Sequence, residues 1–169
     1  MTIAETLLLD FDPEMQNTRT TLERIPEEGE KPAFRPHPKS MAFGRLAVHV
    51  ATLPEFGNVI LTSPSIDITT IGFPDMTFHS REKLLADFEA SSAKLRATLA
   101  AAPDESLQEN WTLSYGEKAI ASGQRALLYR TMFLNHLVHH RAQLGVYLRL
   151  NELPVPPLYG PTADDKLGF

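Results

Sequence analysis

A chain of 169 residues with 43% apolar and 22% charged side chains has the composition of one globular domain with a sizeable core. Its net charge of −5, with Lys and Arg scattered among acids, excludes the basic stripe that a nucleic-acid backbone requires. It has no cysteine, which excludes disulfides, a thiol nucleophile and thiolate metal ligands, and fits a reducing cytoplasm.

The chain starts with a short apolar patch, Leu7 to Leu9, and no basic stretch before it, so no signal peptide is expected. No apolar run approaches the roughly 18–20 residues that span a bilayer. Instead, four segments carry helical periodicity. The first covers Ile3 to Ile25, with Ile3, Leu7, Phe11, Met15, Leu22 and Ile25 on one stripe. Pro13 lies inside it. Asp12-Pro13 also fits a fresh N-cap and first helical residue, but the apolar phase continues across the proline and favours one kinked helix. A Pro-rich loop follows over 26–39, and Ser40 is the expected N-cap of a second helix from Met41 to Leu61, with Leu46, Val50, Leu53 and Phe56 or Gly57 on its buried face.

Residues 62–79 form a long connection, able to carry the chain back so that the next helix runs in the same direction. The third helix is expected from Ser80 to Ala102, buried through Leu84, Phe88, Leu95 and Leu99 and stopped by Pro103. Around Trp111 and the Tyr115-Gly116 turn signal, residues 104–119 read as a short hairpin or irregular turn. The fourth helix, from Ile120 to Leu150, is apolar nearly all round, which predicts the most buried position. The tail from Asn151 is Pro-rich and is expected to lie across the surface. Its stretch Pro156 to Asp165 could cover a site or mediate a dimer, but reads best as a capping tail.

Inside the fourth helix sits a polar island: Asn135, His136, His139, His140, Arg141 and Gln143. Unpaired buried polar groups cost about 1–3 kcal/mol each, so such a cluster needs something to satisfy it. His136 and His140 are four apart and project from one face, a spacing that lets two imidazoles meet one ion at about 2.0–2.1 Å. His139 points about 60° away from His136 and is the weaker candidate. A third ligand must come from another element, and His49, among Leu46, Val50 and Leu53, is the candidate. Three imidazoles leave positions open, the catalytic rather than the structural pattern. The metalloprotease motif is absent, because no Glu follows His136. Imidazole suits zinc, nickel, iron and copper alike, so the ion is written only as one divalent transition metal. His37 and His79 read as surface residues. Arg141 either anchors an anionic group of a substrate or pairs with an acid across the bundle. Gln143 and Tyr147 either line the pocket or pack at the bundle end.

These residues have a family pattern. The stretches RPHPKSMAFGRLAVHVATLPEF around His49, NHLVHHRAQLGVYLRLN around His136 and His140, and PVPPLYGPTADD in the tail make the chain resemble the DinB/YfiT-like family over nearly its whole length. The resemblance implies one all-α domain over 1–169, a four-helix bundle in up-down-down-up order with the long crossover between helices 2 and 3. It implies a metal triad carried over onto His49, His136 and His140; the ion is expected to be one divalent transition metal, zinc, nickel or iron, its identity not readable from the sequence. Members are commonly homodimers. Despite a name that refers to DNA-damage induction, the family is unrelated to the DNA polymerase of similar name. Characterised relatives include S-transferases that use bacillithiol or mycothiol and a mycothiol-dependent isomerase. The resemblance and the missing cysteine lead to one expectation: a cytoplasmic, metal-dependent transferase joining a low-molecular-weight thiol to small electrophiles, with Arg141 as the candidate anion holder. The alternatives are a hydrolase that activates water and a stress-linked dimer whose metal is structural or sensory.

Overall fold

The computed structural model describes every residue except Glu28, Glu30, Phe73 and 165–169, so Asp165, the last residue of the tail motif, lies outside the described residues. The first helix, α1, spans Ile3–Leu22. A reciprocal cap starts it: the Thr2 hydroxyl accepts from the Glu5 N–H while the Glu5 carboxylate accepts from the Thr2 N–H. Pro13 sits inside one continuous helix. The helix ends three residues before Ile25, which is nonetheless fully buried.

The second helix, α2, spans Phe43–Thr62. Ser40 is not its N-cap. That position is Ala42, whose side chain caps nothing; instead the Phe43 N–H donates to the Phe34 carbonyl at 2.9 Å. Ser40 is held in the preceding turn, where its N–H donates to His37 and its carbonyl accepts from Arg35. The third helix, α3, spans Arg81–Ala101 and is capped as expected by Ser80, whose hydroxyl accepts from the Lys83 N–H.

Cross-helix bonds give the directions. Ser91, Lys94 and Thr98 of α3 reach Ala51, Glu55 and Asn58 of α2, so the two helices advance together. Against α1 the order reverses: Glu89 meets Arg19, Ser92 meets Met15 and Arg96 meets Asp12.

The structure is mostly helical but not all-α. A three-stranded sheet in the order β1-β2-β3 joins the long crossover to the segment after α3. Its strands are β1 (Ile66–Asp67), β2 (Asn110–Tyr115) and β3 (Lys118–Gln124), and a short helix, α4 (Asp104–Gln108), precedes β2. β1 runs parallel to β2, with Ile66 opposite Leu113, while β2 and β3 form the hairpin at the Tyr115-Gly116 signal. Gly116 takes φ +57°, where a side chain is strained. The pairing shifts between Leu113 and Ser114, whose partners Ala121 and Ala119 leave Ile120 out. Trp111 anchors the sheet. It is 1% exposed, and its indole N–H donates to the Ser63 hydroxyl at 3.1 Å.

The fourth helical stretch therefore begins at Arg125, not Ile120, because 118–124 is spent on the hairpin. It has three parts: α5 (Arg125–Leu128), a π-helical turn (Tyr129–Leu134) and α6 (Asn135–Leu150). The Asn135 N–H donates to the Arg130 carbonyl, five residues back. A physical reason is visible in the burial. Arg125, Tyr129, Phe133, Leu137 and Arg141 are all buried, at steps of four. An ideal α-helix turns about 40° per such step, so the stripe would wind off the core; a wider turn brings it back. The helix is not buried all round, since Leu127, Val146 and Leu150 are exposed. Arg125 donates to the Ile60 and Ser63 carbonyls, and Arg130 pairs with Asp10. Met41 and Tyr147 meet at one end of the α2–α6 pair and Ile60 and Arg125 at the other, so the two run in opposite directions. Among the described residues no helix is long and apolar enough to cross a membrane.

Gly57 marks the tightest junction. A Cβ there would lie 2.8 Å from both Leu95 Cδ2 and Phe133 Cγ. Gly57→Ala gains about 1 kcal/mol of helix propensity, but overpacking costs about 1–3 kcal/mol. The substitution should lower the urea midpoint. An unchanged or higher midpoint would contradict this packing.

Candidate metal centre

His49 lies midway along α2, and His136 and His140 lie on the first turns of α6 just after the π turn. The antiparallel packing of the two helices brings the three rings together. His49 Nε2 is 3.4 Å from His136 Nε2, and His136 Nε2 is 2.8 Å from His140 Nε2. One nitrogen from each residue falls within 4.8 Å of the others.

The outer nitrogens of His136 and His140 are spoken for. His136 Nδ1–H donates to the Met132 carbonyl at 3.3 Å, and His140 Nδ1–H donates to Gln143 Oε1 at 2.7 Å. The Gln143 amide donates in turn to His139 Nε2 at 3.1 Å, which is consistent with that orientation of the amide. A proton on Nδ1 leaves Nε2 as a bare lone pair, so the two hydrogen bonds select the ligating tautomer.

Burial acts in the same sense. All three histidines are held below the ordinary imidazole value, with desolvation as the largest cause. For His49 burial, then His140, His136 and Arg45 bring it to about 4. The three rings are thus neutral near pH 7. Two nitrogens at about 2.0–2.1 Å from one ion, about 90–110° apart, stand roughly 2.9–3.4 Å from each other. The His49–His136 spacing of 3.4 Å falls within that range and the His136–His140 spacing of 2.8 Å just below it, and the donor set fits a divalent transition metal.

The other histidines are elsewhere. His139 is exposed and does not join the cluster, though through Gln143 it buttresses His140. His37 is exposed, with its ring accepting from the Lys39 N–H, and His79 is exposed 3.9 Å from Asp75. A cavity of about 330 Å³ reaches the cluster from one side, lined by His140, Gln143, Lys39, Met41, Leu46 and Tyr147. Gln143 and Tyr147 thus both line it, and Tyr147 also packs at the bundle end, against Phe34 and Phe43.

Arg141 is not in this group. It is 1% exposed and turns toward α1, where it donates to the Glu14 carbonyl at 2.9 Å, the Thr18 hydroxyl at 3.1 Å and the Glu14 carboxylate at 2.5 Å. Of the two roles open from sequence, the structure displays the pairing with an acid across the bundle. Tyr159 from the tail bonds both Arg141 and Glu14. Asp164 pairs with Arg149 and accepts from the Val155 N–H, so the tail is fastened at two points. A larger cavity of about 570 Å³ lies between α6 and this tail; Arg141 lines it and the three histidines do not. Sequence reasoning missed Glu14 and Tyr159. The signal was Thr18, a fully buried polar residue in the apolar stripe of α1.

The sequence matches the DinB family over residues 1–166. The chain belongs to the DinB family. In fold it is similar to a DinB-like protein from Bacillus subtilis, at 19% identity and a TM-score of 0.68 over 93% of this chain and 99% of that one. A DinB-like protein from Bacillus cereus is similar at 18% identity and a TM-score of 0.66, over 92% of this chain and 97% of the other. No curated protein matches the sequence. Among the described residues of this DinB chain, the helix-2 histidine and the paired histidines of the last helix form a group that can hold a metal.

The depressed imidazoles give a pH dependence. Between pH 6.5 and about 4 the unfolded chain binds a proton at His49 that the folded chain excludes. Metal-free protein therefore loses stability as pH falls through that window. Melting curves of the metal-free wild type should drop more steeply from pH 7 to 4.5 than those of His49→Gln. Parallel slopes would contradict it.

Proposed function

We propose that this DinB protein is a cytoplasmic, metal-dependent transferase that joins a low-molecular-weight thiol to small electrophiles. In this reading it is a homodimer of single-domain, up-down-down-up four-helix bundles, and His49, His136 and His140 hold one zinc, nickel or iron ion. Support for the bundle order comes from the pairings: α2 beside α3 in the same direction, both opposed to α1 and α6.

The observation that carries the function is three imidazoles whose Nε2 atoms converge with no fourth protein ligand among the described residues, one of them, His140, lining a cavity, in a chain without cysteine. A divalent ion held there lowers the pKa of a bound thiol, which yields thiolate at neutral pH. The chain's own residues do the rest. Met132 and Gln143 keep His136 and His140 in the ligating tautomer. Leu46, Met41 and Tyr147 give the cavity apolar walls that exclude water from one side of the reacting pair. Arg141 acts as a positioning residue, locking α6 against α1 through Glu14.

The test is thiol consumption with 1-chloro-2,4-dinitrobenzene or monochlorobimane across cysteine, bacillithiol, mycothiol and glutathione, using metal-loaded protein. Turnover with at least one thiol, reduced about 100-fold or more in His136→Ala, is expected. Turnover of esters or amides without thiol would replace this reading by a hydrolase. Inertness in both assays would leave a non-catalytic metal protein.

A further inference from the structure

The larger of the two cavities described above, of about 570 Å³, lies between α6 and the tail, away from the three histidines. Its walls are apolar. Val138, Ala142, Val146 and Leu150, at steps of four along α6, form one wall, and Val155 and Leu158 of the tail belong to the other. Gly145 leaves space between them, since a Cβ there would meet only Val155 Cγ1, at 3.8 Å.

The charged side chains on these walls are two guanidiniums, Arg141 and Arg149, and no lining residue is acidic. Arg141 is buried and committed to Glu14, Thr18 and Tyr159. Arg149 is different. It is exposed, and its partner is Asp164 of the tail, which does not line the cavity. The contact is a fork: Arg149 Nη1 donates to Asp164 Oδ1 at 3.1 Å and Nη2 to Oδ2 at 2.6 Å. The Val155 N–H donates to the same Oδ2 at 2.8 Å, and the Asp164 N–H donates to the Thr162 hydroxyl at 3.3 Å. Arg149, Val155 and Thr162 all line the cavity. A carboxylate site is thus built at the rim of an apolar cavity, and Asp164 shows that a carboxylate fits it.

We propose that this cavity binds an amphipathic monocarboxylate. Its apolar body lies between α6 and the tail, and its carboxylate takes the place of Asp164 on Arg149 and the Val155 N–H. A guanidinium holds a carboxylate through two parallel bonds, and apolar walls with a few placed polar groups are the usual make-up of a small-molecule site of this size. Asp164 offers a head group alone. An exposed ion pair such as Arg149–Asp164 adds little to stability, so exchanging one carboxylate for another costs little. Each methylene that the ligand buries then favours it by about fourfold in affinity. The exchange frees the end of the tail, while Tyr159 keeps the other fastening on Arg141 and Glu14.

The test is a titration of the full chain with butanoate, hexanoate, octanoate and 1-hexanol, followed by amide resonances. Shifts at Gly145, Arg149 and Val155 are expected. Affinity should rise about fourfold per methylene along the acids, and hexanoate should bind severalfold more tightly than 1-hexanol. Arg149→Gln should bring hexanoate down to the level of 1-hexanol. Asp164→Asn, which weakens the internal competitor, should tighten hexanoate severalfold and leave 1-hexanol unchanged. Both substitutions change side chains at the surface, so the fold is retained. Equal binding of hexanoate and 1-hexanol by wild type, or no gain with chain length, would overturn the proposal. So would an Asp164→Asn variant that does not tighten hexanoate, or the absence of any shift. Shifts confined to His49, His136 and His140 would also overturn it, because the carboxylate would then sit on the histidine cluster.

Discussion

Opposed lone pairs are the constraint around which the rest of the molecule is arranged. His136 and His140 present bare Nε2 atoms to each other at 2.8 Å, and His49 brings its own Nε2 to 3.4 Å from His136. Such nitrogens repel unless a positive centre sits among them. A proton is the cheap answer in water, but the rings are partly desolvated and crowd one another, so protonation is disfavoured. A metal ion answers the same electrostatic need without leaving net charge on any ring. Everything that fixes the geometry, from the Met132 carbonyl to the Gln143 amide, holds those nitrogens in a state that suits a cation.

That state requires α2 and α6 to stay in register, and the framework secures it from behind. The π turn rotates the last helix so that Tyr129 and Phe133 stay in the core while His136 and His140 face α2. Arg141, next in sequence to His140, points about 100° away toward α1 and joins Glu14, Thr18 and Tyr159. Removing one partner of such a buried pair typically costs about 3–5 kcal/mol, whereas the pair as a whole adds little over an apolar contact. Its value is specification: it admits one rotation of α6 against α1 and pins the tail at the same point. The Tyr129 hydroxyl is buried without a hydrogen-bond partner among the described residues.

Much of this was legible in the sequence, and the exceptions have physical causes. The 3–4 spacing of Leu7, Phe11 and Met15, or of Leu84, Phe88, Leu95 and Leu99, needs only local periodicity and located α1 and α3 within a few residues. The histidine pair was readable because four residues is a helical turn, and His49 because a lone imidazole in an apolar stripe asks for a reason. The hairpin turn was readable at Tyr115-Gly116, but the extent of β3 and the pairing of β1 with β2 were not. β1 is two residues long, and β3 has, apart from Ile120, only Lys, Ala, Ser, Gly and Gln, whose strand preference is weak; they are strands because Trp111 and Leu113 on β2 give them something to pair with. The π turn was hidden because it is a property of burial at steps of four, which needs the neighbouring helices. Arg141 showed as a polar residue in a core position, but its partner lay on another helix, beyond what spacing can locate.

The measurement that bears most directly on the three histidines is the metal content of untagged protein by elemental analysis, in wild type, His49→Ala and His136→Ala/His140→Ala. The account predicts about one equivalent of a transition metal in wild type and its loss from both variants, because His49 on α2 and the pair on α6 share a single ion. Wild type that takes up no metal even on reconstitution would contradict the account, as would variants that keep it. The three imidazoles would then be partly buried polar residues of a helical core, and nothing more.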